Sequence, residues 1–349
     1  NQIMEFTCVR TTAEWDALAL EWEQLYERTY LRVPFLRVGY LRAWWQTLGG
    51  AEWHRENSSL RIITAREGGR LIGTAPFFLG SKGDSQPALR FIGSVEVSDY
   101  LDFLAAPEAL DKFLNGLFAF LRQDPELGAY PIELFNLRED SLSMLLLPRA
   151  AELNGYTYAE ERLQPAPYIP LAESWEAYLA GITKKQRHEI RRKSRNAENR
   201  HQTDWYLVQD GEKLEEEVDS FISMMRKDPR KESFLNPAMR EHLLAAARWA
   251  FGLGQLHLAF LTFEGHKAAA YFSLNSGGKL WVYNSAWEPA YAPCSPGWVL
   301  LAKVLQWSIT QGLTEVDMMR GSEDYKYKFG AVDRYVTRVL LHPAAPSRI

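Results

Sequence analysis

Apolar and polar positions alternate along residues 60–67 (LRIITARE) and 70–79 (RLIGTAPFFL), on either side of Gly68-Gly69. A period of two flanking a glycine pair predicts the two strands of a hairpin. The layout recurs as LHLAFLTFE and KAAAYFSLNS around Gly265-His266, and in both places Glu-Gly is followed two residues on by a basic residue, Arg70 or Lys267. Elsewhere the period lengthens to that of a helix. LDKFLNGLFAFLRQ runs into the strand-like PIELFNLRED, and WVLLAKVLQWSITQ into TEVDMMRGSED. Each half therefore predicts strand, helices, hairpin, helix, strand, and each last strand holds a carboxylate, Glu133 or Asp317.

This order reads as two copies of one α/β domain. The join falls where QPAPYIPLAES sets three prolines before a new helical pattern, which predicts domains 1–168 and 169–349. The length of 349 residues agrees, being too great for one ordinary core. Residues 1–3 read as a remnant ahead of Met4.

Composition narrows the class. The net charge of −4 argues against a surface built throughout for nucleic acid. Cys8 and Cys294 form no CxxC pair and no cluster with His, so neither a disulfide framework nor a metal site is expected, and a cytoplasmic setting fits. No apolar run reaches the roughly 18 residues that span a bilayer, and no basic-then-apolar signal pattern opens the chain.

Candidate chemistry centres on CSPGWVLLAKVLQWSITQG, where Ser-Pro-Gly opens an apolar helix. Ser295 suits the cap and Pro296 the first helical position. Gly297 costs helix stability yet leaves the first-turn N–H groups approachable, which is the requirement of an anion site. KLWVYNSAW precedes it as a strand, and RGSEDYKYKFG follows the next strand. If the two strands lie adjacent and parallel, Tyr325, Lys326 and Lys328 converge beside that helix start.

Here the residues resemble a known family. Tyr283, Trp287, Pro296-Gly297, a helix ending at Gly312, Asp317, Arg320-Gly321, Tyr325-Lys326 and Phe329-Gly330 look like the GNAT-type acetyltransferase domain of CelD/BcsL-like proteins, which are related to the FemAB peptidoglycan bridge transferases. PFLRVGYLRAWWQTLG, VSDYLDFL, SWEAYLAGITKKQRHEIRRKSRNAE and FISMMRKDPRKESFL extend the likeness over nearly the whole chain. The resemblance implies two tandem GNAT-like domains, each a mixed, mostly antiparallel twisted sheet flanked by helices. It implies that the C-terminal copy holds acetyl-CoA or another acyl-CoA, and that the N-terminal copy is structural or serves the acceptor. The acceptor, a small molecule, a glycan or a peptidyl group, is expected in a cleft between the copies.

Roles follow from that resemblance. The donor's phosphates fall to the N–H groups of Gly297 and Trp298 with Ser295 and Pro296, and its pantetheine arm to Tyr283, Asn284 and Ser285. Tyr325 is the candidate proton donor to the leaving thiolate, or else a ring packed under the sheet. Lys326 pairs with a donor phosphate or with Asp317. Asp317, in the apolar VDMM, is a general base or a structural partner of Arg320 or Lys326. Asp99 and Tyr100, which alternate with Asp102 along VSDYLDFL, seat the acceptor or form a turn and a strand edge. Of the tryptophans only Trp287, in the loop leaving its strand, reads as a cleft residue.

KKQRHEIRRKSRNAENR places Arg187, Arg191 and Arg195 four apart on one helical face. Like charges at that spacing repel. The face is solvated, or Arg187 and Arg191 grip an acceptor anion, or the helix contacts nucleic acid. Three rivals to acyl-CoA-dependent transfer stay open: aminoacyl transfer from charged tRNA as in FemAB proteins, a GNAT-fold binder without catalysis, and a nucleic-acid module whose affinity falls with salt.

Overall fold

The computed structural model describes residues 3–345; Asn1 and Gln2 of the remnant read at the start lie outside them. The chain divides into two compact units, one formed by the chain to Gln164 and again from Tyr335, the other by Pro165–Arg334. The division expected at 168/169 falls at 164/165, and the C-terminal strand belongs to the first unit.

The first unit holds strands β1 (Met4–Val9), β2 (Ser58–Leu60), β3 (Ile62–Glu67), β4 (Arg70–Ala75), β5 (Phe77–Gly80), β6 (Ala88–Phe91), β7 (Leu104–Ala105), β8 (Ile132–Arg138) and β9 (Tyr156–Pro165). Helices α1 (Thr12–Ala17), α2 (Ala19–Tyr26), α3 (Val38–Ala51), α4 (Pro107–Gln123) and α5 (Leu142–Leu153) accompany them. The second unit runs β10 (Tyr168–Pro170), α6 (Trp175–Gly181), α7 (Lys184–Arg200), β11 (Thr203–Leu207), α8 (Leu214–Met225), α9 (Pro229–Glu232), α10 (Pro237–Gly252), β12 (Leu256–Phe263), β13 (His266–Ser276), β14 (Lys279–Trp287), α11 (Pro296–Thr310), β15 (Glu315–Asp317) and α12 (Asp324–Lys328). β16 (Tyr335–Pro343) then returns to the first unit's sheet, between β8 and β9.

Both predicted hairpins form. Their turns are Gly68-Gly69, at φ 54° and 79°, and Glu264-Gly265, at φ 47° and 79°. Two successive residues at positive φ match the twist of antiparallel strands, which is why glycine recurs there. The strand expected along RLIGTAPFFL divides at Pro76, and its halves join different sheets of the first unit. Proline has no N–H to give to a ladder, so the strand changes partner where it stands. The extended stretch expected at VSDYLDFL is irregular until Leu104–Ala105.

The second unit's sheet runs β10-β15-β14-β13-β12-β11, antiparallel except where β14 meets β15. The first unit's larger sheet, β2-β5-β6-β8-β16-β9, likewise has one parallel pair, β6 with β8, and in both units a long helix precedes the later strand of that pair. Beyond that later strand lies an antiparallel neighbour, β16 in one unit and β10 in the other. Two copies of one plan thus share the chain. In the second unit α7 and α11 cover one face, packing Ile190, Leu300, Leu301 and Val304 on Leu261, Ala269 and Leu280. α8 and α10 cover the other, where Phe221 meets Phe272 and His242 meets Tyr283.

Two buried groups give the units opposite responses to acid. In the first, burial pushes the Asp102 carboxyl up to about 6, against hydrogen bonds from Ser141, Ser143 and the Phe103 N–H and the nearby charge of Arg138. In the second, burial pushes His257, packed on Trp307, down to about 4. The folded first unit binds the Asp102 proton more tightly than the unfolded chain, so its stability is full below about pH 4 and falls by about 3 kcal/mol as pH rises through 6. For His257 the unfolded chain binds the proton more tightly, so the second unit's stability is full above about pH 6.5 and falls by about 3 kcal/mol as pH drops through 4. Native-state hydrogen exchange followed from pH 4.5 to 6.5 should show the most protected amides of the two units moving in opposite directions. Parallel movement would contradict this.

Candidate functional site

The site begins with a strand that loses its neighbour. β14 pairs with β15 at Lys279↔Glu315, Leu280↔Val316 and Trp281↔Asp317, and there the pairing stops. On its other side β14 carries a bulge, for the register with β13 passes from Ser273↔Val282 to Phe272↔Asn284 with Tyr283 extra. Beyond the bulge the Glu288 N–H donates to the Ala268 carbonyl at 2.8 Å. Antiparallel alternation then turns the backbone groups of Ser285 and Trp287 toward the gap left by β15. At Ser285 they are already engaged. The N–H donates to Asn284 Oδ1 at 2.9 Å, and Lys231 Nζ donates to the carbonyl at 2.6 Å and to Asn284 Oδ1 at 2.9 Å.

The helix start faces the same space. A short turn over Pro289–Cys294 delivers Ser295 in the left-handed conformation, at φ 49° and ψ 55°. From there its side chain makes no capping bond, in contrast to the cap expected of it. Pro296 takes the first helical position as expected. The N–H of Val299 bonds the Ser295 carbonyl at 3.1 Å. Those of Gly297 and Trp298, by position in the first turn, have no intrahelical partner. A Cβ on Gly297 would come no nearer than 4.0 Å to Trp287, so the surface above the turn is open.

A cavity of about 720 Å³ joins these parts. Ser295, Pro296, Gly297 and Trp298 line one side, and Ser285, Ala286 and the half-exposed Trp287 another. Tyr325 enters from α12 with its hydroxyl hydrogen-bonded to Ser285 and Tyr271. Burial first, and then the charge of Glu323, push the Tyr325 phenol up to about 12, and burial holds that of Tyr271 well above its ordinary value. Both therefore stay protonated and can donate. The remaining wall comes from the end of α8, from α9 and from α7, with Met224, Met225, Lys227, Arg230, Lys231 and Lys193. Lys193 lies 3.7 Å from the centre of the Trp298 ring.

Five of the seven residues expected at the donor, Ser285 and Ser295 to Trp298, thus meet Tyr325 and Trp287 at one cavity. The others are placed elsewhere. Tyr283 turns to the opposite face, its hydroxyl 2.7 Å from His242 Nε2, while Asn284 touches the site through Lys231. Lys326 is buried, and its protein partners do not include Asp317; it donates to the carbonyls of Arg320 and Gly321 at 3.2 and 3.0 Å and pairs with Glu323 at 2.8 Å. Arg187 donates to the Leu179 carbonyl at 2.8 Å, closing the end of α6, and Arg191 lines a separate small groove. Asp99 and Tyr100 belong to the first unit, where Tyr100 is buried under Arg138.

Asp317 is fully buried, accepts from the Met319 N–H at 2.8 Å and is paired with Arg334 at 2.6 Å. Arg334 also pairs with Glu315 at 2.7 Å. An ion-pair partner of Asp317 that sequence reasoning did not name, Arg334, thus comes from 17 residues downstream. Removing one member of a buried pair strands the other charge. Arg334→Met is therefore expected to destabilise the second unit by about 3–5 kcal/mol in urea unfolding; a loss under about 1 kcal/mol would show the carboxylates satisfied without it.

Sequence reasoning missed Tyr271, Glu323 and the cations of α7 and α9. The basic run RKDPRKE between two helical patterns was the visible signal of Lys227, Arg230 and Lys231, and Lys193 lies within the basic run of α7.

Residues 184–327 match the family model of the acetyltransferase (GNAT) domain. Among solved structures the chain is similar to FemX, at 12% identity over 96% of each chain and a TM-score of 0.63. It is also similar to L-PGS from Bacillus licheniformis, at 12% identity over 94% of this chain and 93% of that one, with a TM-score of 0.55. A tandem GNAT protein from the clavulanic acid biosynthesis pathway follows at 13% identity, covering 98% of this chain and 100% of its own, with a TM-score of 0.51. No curated protein matches the chain by sequence. At such identities the likeness is one of fold, and the fold is a tandem GNAT-like α/β arrangement.

Proposed function

We propose that the second unit binds an acyl-coenzyme A and transfers its acyl group to an amine or hydroxyl acceptor. The observation that carries this reading is the cavity itself, which joins first-turn N–H groups, an open strand edge and a protonated tyrosine hydroxyl. The helix start offers donors to the pyrophosphate. The edge of β14 gives the pantetheine amides a strand to pair with, at Trp287 and, once Lys231 moves, at Ser285. The acceptor attacks the thioester carbonyl carbon, the C–S bond breaks, and negative charge gathers on sulfur where Tyr325 donates a hydrogen bond. A phenol near 12 is too weak an acid to hand its proton fully to a thiolate. Its assigned role is therefore to stabilise the developing charge, with the final proton drawn from water. Asp317, locked to Arg334, is assigned a structural role, and the acceptor's proton also leaves through water.

The acceptor is a small molecule, a glycan or a peptidyl group. The CelD/BcsL-like resemblance and a cytoplasmic reaction belong to this proposal; no helix among the described residues is long and apolar enough to cross a membrane.

Two observations favour a second reading, FemAB-like transfer from aminoacyl-tRNA. The Ser285 groups that would pair with pantetheine are already satisfied, and cations stand around the cavity. Titrations with acetyl-CoA and with a charged tRNA, each followed by calorimetry, separate the two. Heat from acetyl-CoA alone supports the first, heat from the tRNA alone replaces it with the second, and heat from neither sinks both.

A further inference from the structure

Four cations line the cavity, and three of them have a carboxylate partner: Lys193 with Glu189 at 3.7 Å, Lys227 with Glu288, and Arg230 with Asp228 at 2.8 Å. Lys231 has no carboxylate within ion-pair distance among the described residues. Its ammonium is held by two neutral oxygens, the Ser285 carbonyl and the Asn284 amide, which belong to the gap-facing edge of β14. The Ser285 side chain is in turn hydrogen-bonded to the Tyr325 hydroxyl. Amine, strand edge and tyrosine are therefore contiguous, and the amine stands at the reacting end of the proposed donor.

From this geometry we infer that Lys231 is a self-acylation site, whose ε-amine takes the acyl group of a thioester bound in the cavity. The inference rests on the acyl-CoA reading. Burial lowers the proton affinity of Lys231, Arg230 adds to the effect, and Asp228 and Glu323 oppose it, so the uncharged amine is favoured relative to an exposed lysine. The Nζ lone pair attacks the carbonyl carbon, an amide bond forms and the C–S bond breaks. Coenzyme A leaves as a thiolate bonded to Tyr325 and is protonated by water, while the amine's protons pass to solvent. The product side chain is uncharged and keeps one N–H. It can hold the Ser285 carbonyl or the Asn284 amide, not both, so acylation loosens α9 from the strand edge.

The test is incubation of the full chain with acetyl-CoA, followed by peptide mass mapping, with acetyl phosphate as the chemical control and calorimetry of acetyl-CoA binding on the same sample. Acetylation of Lys231 at least about tenfold faster than of the exposed Lys184 and Lys185, absent in Lys231→Arg and slowed at least about tenfold in Tyr325→Phe, is the expected result. Acetyl-CoA that binds while Lys231 stays unmodified, or modification no faster than with acetyl phosphate, would overturn the inference and leave the donor site standing. No binding of acetyl-CoA would remove the donor reading and the inference with it.

Discussion

Tyr325→Phe is expected to lower turnover with acetyl-CoA about 100-fold and to leave donor affinity within about threefold, because one hydrogen bond to charge that develops only in the transition state is lost. The ring is retained, so the packing of α12 is kept. Donation requires the protonated phenol, and with Tyr325 pushed up to about 12 that form prevails through neutral and moderately alkaline pH. The wild-type rate should accordingly show no alkaline loss from this group below about pH 11, since the titrating proton is still in place. Steady-state kinetics over a pH series checks both statements. A drop in donor affinity without a drop in turnover would make Tyr325 a binding residue, and an alkaline limb near pH 8 shared by the Phe variant would belong to another group.

The second large effect concerns the helix start. Gly297→Leu is expected to weaken coenzyme A binding at least about 100-fold, whereas Gly297→Ala should change it less than about threefold. The difference lies in reach. A Cβ at Gly297 makes only ordinary contact with Trp287 at 4.0 Å, whereas a leucine branch extends into the open space above the first-turn N–H groups. Gly297 has helical backbone angles, so neither side chain strains the chain, and both should hold or raise stability by up to about 1 kcal/mol. Lost binding with an unchanged melting temperature would therefore be local. Equal binding by all three proteins would move the phosphates away from this turn.

The features legible in the sequence were the local ones. Both hairpins rest on turns two residues long, and their glycines advertised them. α11 leads into β15 within five residues, and the condition set on the sequence, that β15 lie adjacent and parallel to β14, is met in the register Trp281↔Asp317. What remained hidden depends on contacts distant in sequence. Nothing in YVTRVLLHP says that β16 lies between β8 and β9 rather than in the second unit. Ser-Pro at a helix start looked like a capping serine, but after the preceding turn Ser295 sits at positive φ and its side chain makes no capping bond. Lys326 reads as a partner of a donor phosphate or of Asp317 because a buried lysine and a surface lysine are alike in sequence, and only the fold shows the loop carbonyls it ties together. Lys231 sits among charges that resemble a solvated loop, and only the fold shows that it meets the Ser285 carbonyl just past the bulge at Tyr283.

The most direct measurement is a crystal structure of the protein with coenzyme A bound. The account predicts the pyrophosphate against the N–H groups of Gly297 and Trp298, the pantetheine arm along β14, and sulfur within hydrogen-bond distance of the Tyr325 hydroxyl. Coenzyme A found outside this cavity, or seated in it with sulfur remote from Tyr325, would contradict the assignment of donor and tyrosine alike.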